Sequence, residues 1–130
     1  MSEPKSFNFS DVANLPNFED ALVGFVPKNL SSADDLLQGV ADVLSFPAYF
    51  GRNWNALYDC LRDFHWTEKR NVFLVHSDLP QLDKDDLKAY LEVLRDAVAD
   101  WQPGESHAFI VIFDRSIEVA VMNALNMGRD

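Results

Sequence analysis

The sequence holds a single cysteine, five glycines and only eleven basic residues in 130. Cys60 has no intramolecular partner, so no disulfide can staple the chain and the fold must rest on its core. Five glycines leave little for phosphate-cradling loops, and no GxGxxG, P-loop, GxSxG or HExxH pattern occurs. No apolar run approaches the ~18 to 20 residues that span a bilayer, because Pro27, His76 and Asp114 interrupt the longest ones. The start, MSEPKSFNFS, lacks a basic region followed by an apolar stretch, which leads us to expect a cytoplasmic chain. The shortage of Lys and Arg against 21 Asp and Glu leaves a net charge of −10. Such a field repels nucleic acid and anionic lipid, so neither is expected as a direct partner.

Hydrophobic residues make up 48% of the chain and charged ones 25%, the balance of an ordinary globular domain. At this length, folding buries roughly two-thirds of the unfolded surface. Residues 1 to 19 contain Pro4, Pro16 and scattered apolar residues without a period, which predicts an irregular N-terminal arm. Ala21 to Val26 is a short apolar run closed by Pro27, the pattern of a strand buried on both faces. Ser32 followed by Asp35 resembles a capping box, and Leu36, Leu37, Val40, Val43 and Leu44 then recur at helical spacing until Phe46-Pro47.

A second helix is expected from Asn53 to Phe64, with Trp54, Leu57, Leu61 and Phe64 on one side and Asn55, Asp59, Arg62 and Asp63 on the other. Asn71 to His76 reads as a strand, and a long helix follows from about Asp83 to Trp101, with Leu87, Tyr90, Leu91, Leu94, Val98 and Trp101 as its apolar stripe. His107 to Phe113 is continuous in hydrophobicity, as a central parallel strand should be. After it, Ile117, Val121, Ala124 and Leu125 favour a helix capped by Ser116 over a strand. Strands separated by helices imply parallel pairing, so the expected class is α/β: a small three-stranded parallel sheet packed with helices, plus an N-terminal arm (1–19) and a C-terminal extension (115–130).

Chemistry-bearing residues are sparse. His65, His76 and His107 lack metal-ligand spacing with one another or with Cys60, and each sits beside apolar residues, so we expect structural histidines, no metal and no cofactor. Cys60 falls with Leu57, Leu61 and Phe64 on the core side of its helix, where a thiol behaves as a small hydrophobe. Asp34-Asp35 and Asp85-Asp86 lie in first helical turns, where the helix macrodipole accounts for them. These readings point away from an enzyme.

The polar face of the second helix is a stronger candidate. Asn55, Asp59 and Asp63 form an i, i+4, i+8 column beside an aromatic rim of Tyr49, Trp54 and Tyr58, with Arg62 alongside. A solvated face would look similar on charge alone, since Arg52 and Arg62 offset Asp59 and Asp63. The preceding segment, Phe46-Pro47-Ala48-Tyr49-Phe50-Gly51, is aromatic where a loop is ordinarily polar. Rigid aromatics beside carboxylates suit a protein interface.

The run from Phe46 through Arg52-Asn53-Trp54-Asn55-Ala56-Leu57-Tyr58-Asp59-Cys60 to Leu61 resembles the signature segment of the barstar family, small intracellular inhibitors of microbial ribonucleases. The order of strands and helices agrees with that family over residues 20 to 114. The resemblance implies a second helix and loop that plug the active-site cleft of a basic ribonuclease or nuclease toxin in a 1:1 complex with a monomeric inhibitor. It implies interface roles for Tyr49, Asn53, Asp59 and Asp96, with Asp59 as the phosphate-mimicking acid. Three departures accompany it: Asn55 stands where the prototype has aspartate, Arg52 where it has glutamate, and the last strand lacks the prototype's second cysteine. They suggest a different target nuclease, and leave open a non-nuclease protein partner on the same scaffold.

Overall fold

A computed structural model describes residues 7–126. Its sheet carries four strands, all parallel, in the order β1 (Asn8–Ser10), β4 (Ala108–Asp114), β3 (Asn71–His76) and β2 (Ala21–Val26). Four helices complete it: α1 (Ala33–Val43), α2 (Trp54–Leu61), α3 (Lys84–Asp100) and α4 (Glu118–Leu125). The α/β class stands as expected, and the strand count rises from three to four.

The extra strand comes from the arm. Phe9 pairs in register with Phe113, and the rings of Phe7 and Phe9 lie 5.1 and 6.0 Å from the Phe113 ring. Phe7 is 4% exposed, so this part of the arm belongs to the core. Three residues are too few to show a period of two, which is why the alternation is silent in the sequence.

β2 and β3 occupy the residues their apolar runs predict, whereas β2 is an edge strand and leaves Phe25 52% exposed. An edge strand keeps one face covered and loses cover at its rim, which corrects the reading of β2 as buried on both faces. On its inner face α1 packs so closely that a methyl at Gly24 would sit 2.8 Å from Val43 Cγ2 and 2.9 Å from Leu44 Cδ2. Glycine is required there by that approach.

Three of the helices begin on side-chain caps. Ser32 accepts from Asp35 N, Asn53 from Ala56 N and Asp83 from Asp86 N. α2 ends at Leu61, three residues earlier than its apolar spacing suggests. Phe64 adopts φ +55°, a left-handed turn that takes the chain off the helix axis while its ring stays fully buried against Trp66, Trp101, His107 and Phe109. The burial of one aromatic ring therefore decides where the helix stops.

Beyond β4, Asp114 is the hinge of the tail. Its carboxylate accepts from Ser116 N and Ser116 Oγ, starting a 3-10 turn at Arg115–Ile117, and from Val12 N of the arm at 3.1 Å. The tail is helical as expected, but the cap is Asp114 and not Ser116, and α4 itself starts without a side-chain cap. Val121, Ala124 and Leu125 are buried. No helix among the described residues is long and apolar enough to cross a membrane.

Candidate functional site

α2 and α3 lie side by side with a groove of about 470 Å³ between them. Three contacts near one end hold the helices in place. The Trp101 indole donates to Leu61 O at 2.7 Å, the Arg62 guanidinium lies 4.2 Å above the Trp101 ring, and the Tyr58 hydroxyl donates to Asp100 Oδ2. All three join the last turn of α2 to the last turn of α3.

The groove is lined from α2 by Trp54, Asn55, Tyr58 and Asp59, and from α3 by Val93, Asp96, Ala99 and Asp100. Five of the nine residues singled out in the sequence thus meet here: Trp54, Asn55, Tyr58, Asp59 and Asp96. Three carboxylates and no cation line it, which makes it a cation-accepting surface. The side chains of Asp59 and Asn55 have no hydrogen-bond or ion-pair partner among the described residues. Asp96 touches its own neighbour, Arg95, at 3.2 Å in an exposed pair of the kind that contributes little.

The other four lie outside the groove. Asn53 caps α2, its side chain accepting from Ala56 N at 2.7 Å. Tyr49 is 67% exposed on the approach loop, and partial desolvation together with the nearby Asp63 carboxylate raises its pKa. Asp63 lies past the helix end and contacts His65 Nδ1 at 2.8 Å, so the expected Asn55–Asp59–Asp63 column is broken after its second member. Arg62 faces Glu105 across 3.5 Å while stacked on Trp101, and its charge is directed into the protein.

The aromatic loop is also partly structural. Phe46 packs edge-on to Phe50 and Trp66, leaving Tyr49 as the ring that faces outward. Arg52 adopts φ +50° and turns toward α1, 3.7 Å from Asp34 and 3.3 Å from Gln38. Its charge is drawn away from the groove.

Sequence reading missed Val93, Ala99 and Asp100 as groove residues. Val93, Asp96 and Asp100 follow i, i+3, i+7 spacing, which marks one helical face, but nothing local says that this face meets α2.

The remaining reactive side chains are scattered. Cys60 is buried, and burial pushes its thiol up to about 11, aided by Asp63 and Asp59. His76 is enclosed, with Nε2 at 2.6 Å from the Tyr90 hydroxyl and Nδ1 at 3.2 Å from Ile112 O. Burial lowers its pKa to about 4. His107 Nδ1 meets Lys69 O at 2.8 Å. No three His, Cys, Asp or Glu residues converge with metal-binding geometry among the described residues.

A family model described as Barstar (barnase inhibitor) matches residues 20–114. No curated protein matches the chain.

Proposed function

Because the chain belongs to the Barstar (barnase inhibitor) family, we propose that it is an intracellular inhibitor, or immunity protein, of a basic ribonuclease or nuclease toxin. The observation that carries this reading is a groove lined by Asp59, Asp96 and Asp100 with no cation among its described lining residues, in which the Asp59 carboxylate has no hydrogen-bond or ion-pair partner among the described residues. A nuclease must hold a polyanion and so presents Arg, Lys or His side chains in its cleft. A rigid helix that offers a carboxylate where the phosphate would sit competes for those groups through charge-assisted hydrogen bonds.

Occlusion asks no chemistry of the inhibitor. In this reading Asp59 takes the phosphate position and Asp96 approaches from α3. Trp54 and Tyr58 supply apolar contact, Tyr49 packs at the rim, and Asn53 holds the start of α2 in place. The net charge of −10 draws a cationic enzyme inward, a steering effect that fades as salt rises. Asn55 and Arg52 alter the charge offered at the helix start, so the fitting target is a nuclease whose cleft is less basic there than the prototype's.

Affinity capture from the source cells' lysate and medium tests this, with wild-type protein beside Asp59→Ala. A small basic nuclease retained by wild type and released by the variant is the expected result. Capture of the same non-nuclease protein by both baits would overturn the assignment. Association with the captured enzyme should slow with ionic strength much more than dissociation does.

A further inference from the structure

β2 (Ala21–Val26) is hydrogen-bonded to β3 along one side only. Asn71 N donates to Asp20 O at 3.1 Å, so Asp20 turns its carbonyl toward β3. Backbone groups of alternate residues in a parallel strand point to opposite sides, so Leu22, Gly24 and Val26 serve β3 while Ala21, Val23 and Phe25 direct their N–H and C=O groups outward. Those outward groups have no hydrogen-bond partner among the described residues. An open edge is ordinarily guarded by a lysine, a proline, an inward charge or a bulge. The run Ala21-Leu22-Val23-Gly24-Phe25-Val26 contains no such residue, its register with β3 is unbroken, and Phe25 is 52% exposed.

We propose that β2 pairs with β2 of a second copy of this chain, antiparallel and two-fold symmetric about Val23. The pairing does not rest on the inhibitor reading, and it departs from the monomer that the family resemblance implies. The groove residues belong to α2 and α3, so the pair occupies none of them.

The register follows from the backbone. In an antiparallel pair opposed residues share a face, and the outward residues Ala21, Val23 and Phe25 are symmetric about Val23. That centre sets Val23 against Val23 of the second copy and Phe25 against its Ala21, so every outward N–H and C=O finds a partner. Moving the centre to Gly24 sets Ala21 against Pro27, which has no N–H to donate. Gly24 faces α1, so Val23 and Phe25 lie on the other face of the sheet, where the Phe25 ring covers the small Ala21 of the second copy. The strand ends are complementary in charge as well. Glu19 and Asp20 precede β2 and Lys28 follows it, and neither Glu19 nor Lys28 has an ion-pair partner among the described residues. Antiparallel pairing brings each Lys28 to the Glu19 end of the other copy, whereas parallel pairing would set like charges together. Two six-residue strands fall at the small end of the interface range, below roughly 800 Å² per partner, so the pair depends on concentration.

Sedimentation equilibrium of the full chain from ~20 μM to ~1 mM reads the pairing, in about 0.3 M NaCl so that screening shortens the reach of the −10 charge. Wild type should pass from the mass of one chain to that of two. Phe25→Lys places a guard at an exposed side chain, and Val23→Pro removes an N–H that β3 does not use; each should weaken the pair by about tenfold or more. Thermal melts confirm that both variants are folded. Amide hydrogen exchange of the wild type reads the register without any substitution. Exchange at Ala21, Val23 and Phe25 should slow as concentration rises, while Leu22, Gly24 and Val26, already in the β3 ladder, should not change. A mass that stays at one chain up to ~1 mM would overturn the pairing and leave the edge to a different extended chain. So would a pair indifferent to both variants, or slowed exchange that spares the three outward amides.

Discussion

Trp54 touches two polar regions of opposite kind. On its outer side the groove displays the Asp59 and Asn55 side chains with no partner among the described residues. On its inner side its ring lies 6.1 Å from that of Tyr90, whose hydroxyl meets His76 in a pocket with no exposure. The inner pair is satisfied because an unpaired polar group there costs about 1–3 kcal/mol. The outer groups can remain unpaired because water serves them until something better arrives. Comparing the two separates polar residues that hold the molecule together from those left open at its surface.

The sharpest way to break that comparison is at Asp59. Replacing it with alanine should cost about 2–5 kcal/mol of affinity for the proposed nuclease partner, a scale to which the barnase–barstar pair itself contributes, while the thermal melting temperature stays within a degree or two. Calorimetric titration alongside a melt decides it. A stability loss as large as the affinity loss would move Asp59 into the structural class.

The inner region responds to acid. His76 is neutral in the fold because burial lowers its pKa to about 4, against 6.5 in an unfolded chain. Between those values the unfolded state binds the extra proton, so stability falls as pH drops through 6.5 toward 4 and stops falling below it. The total loss is roughly 3 kcal/mol. Tyr90 hydroxyl, Ile112 O and the Phe113 ring are the groups that face His76, and none carries charge to offset the proton. Urea melts at pH 7 and pH 4.5 measure the effect, and NMR of the imidazole assigns it. A His76 signal titrating near 6.5 would contradict the enclosure described.

Arg62 sharpens the boundary between the two classes. It lies at the groove's end yet is stacked and paired within the protein, so Arg62→Ala should lower stability by about 1 kcal/mol and leave the contact of Asp59 with a partner intact. The smallest effect is expected at Asp63. Asp63→Ala should change stability by less than about 0.5 kcal/mol, and affinity by no more, because its carboxylate is off the helix beside His65. A large affinity loss at Asp63 would mark it as a partner contact.

How far these assignments could be read from sequence depends on what fixes each residue. β2 and β3 are legible to the residue because uninterrupted apolar runs bounded by Pro27 and Ser77 leave no other period. The carboxylate and aromatics of α2 are legible because helical spacing gathers Trp54, Tyr58, Asn55 and Asp59. The end of α2 is not, since it is set by the left-handed turn at Phe64, which is held by rings contributed from residues 66, 101, 107 and 109. Asp63 was lost from the column for that reason. Asp100 was missed because only packing shows which face of α3 meets α2. The fourth strand escaped because its pairing partner lies about a hundred residues away and its own run is three residues long.

That short strand limits how copies of the chain can associate. Backbone groups at the rim of a sheet are templates for further strands, and β1 occupies the β4 rim while exposing only three residues of its own. Among the described residues, the six of β2 are the one long template left. Growth into a filament needs two usable rims on every copy, whereas a single rim can be consumed only once. Self-association through this sheet would therefore saturate at a closed pair, with no free end from which a fibre could lengthen.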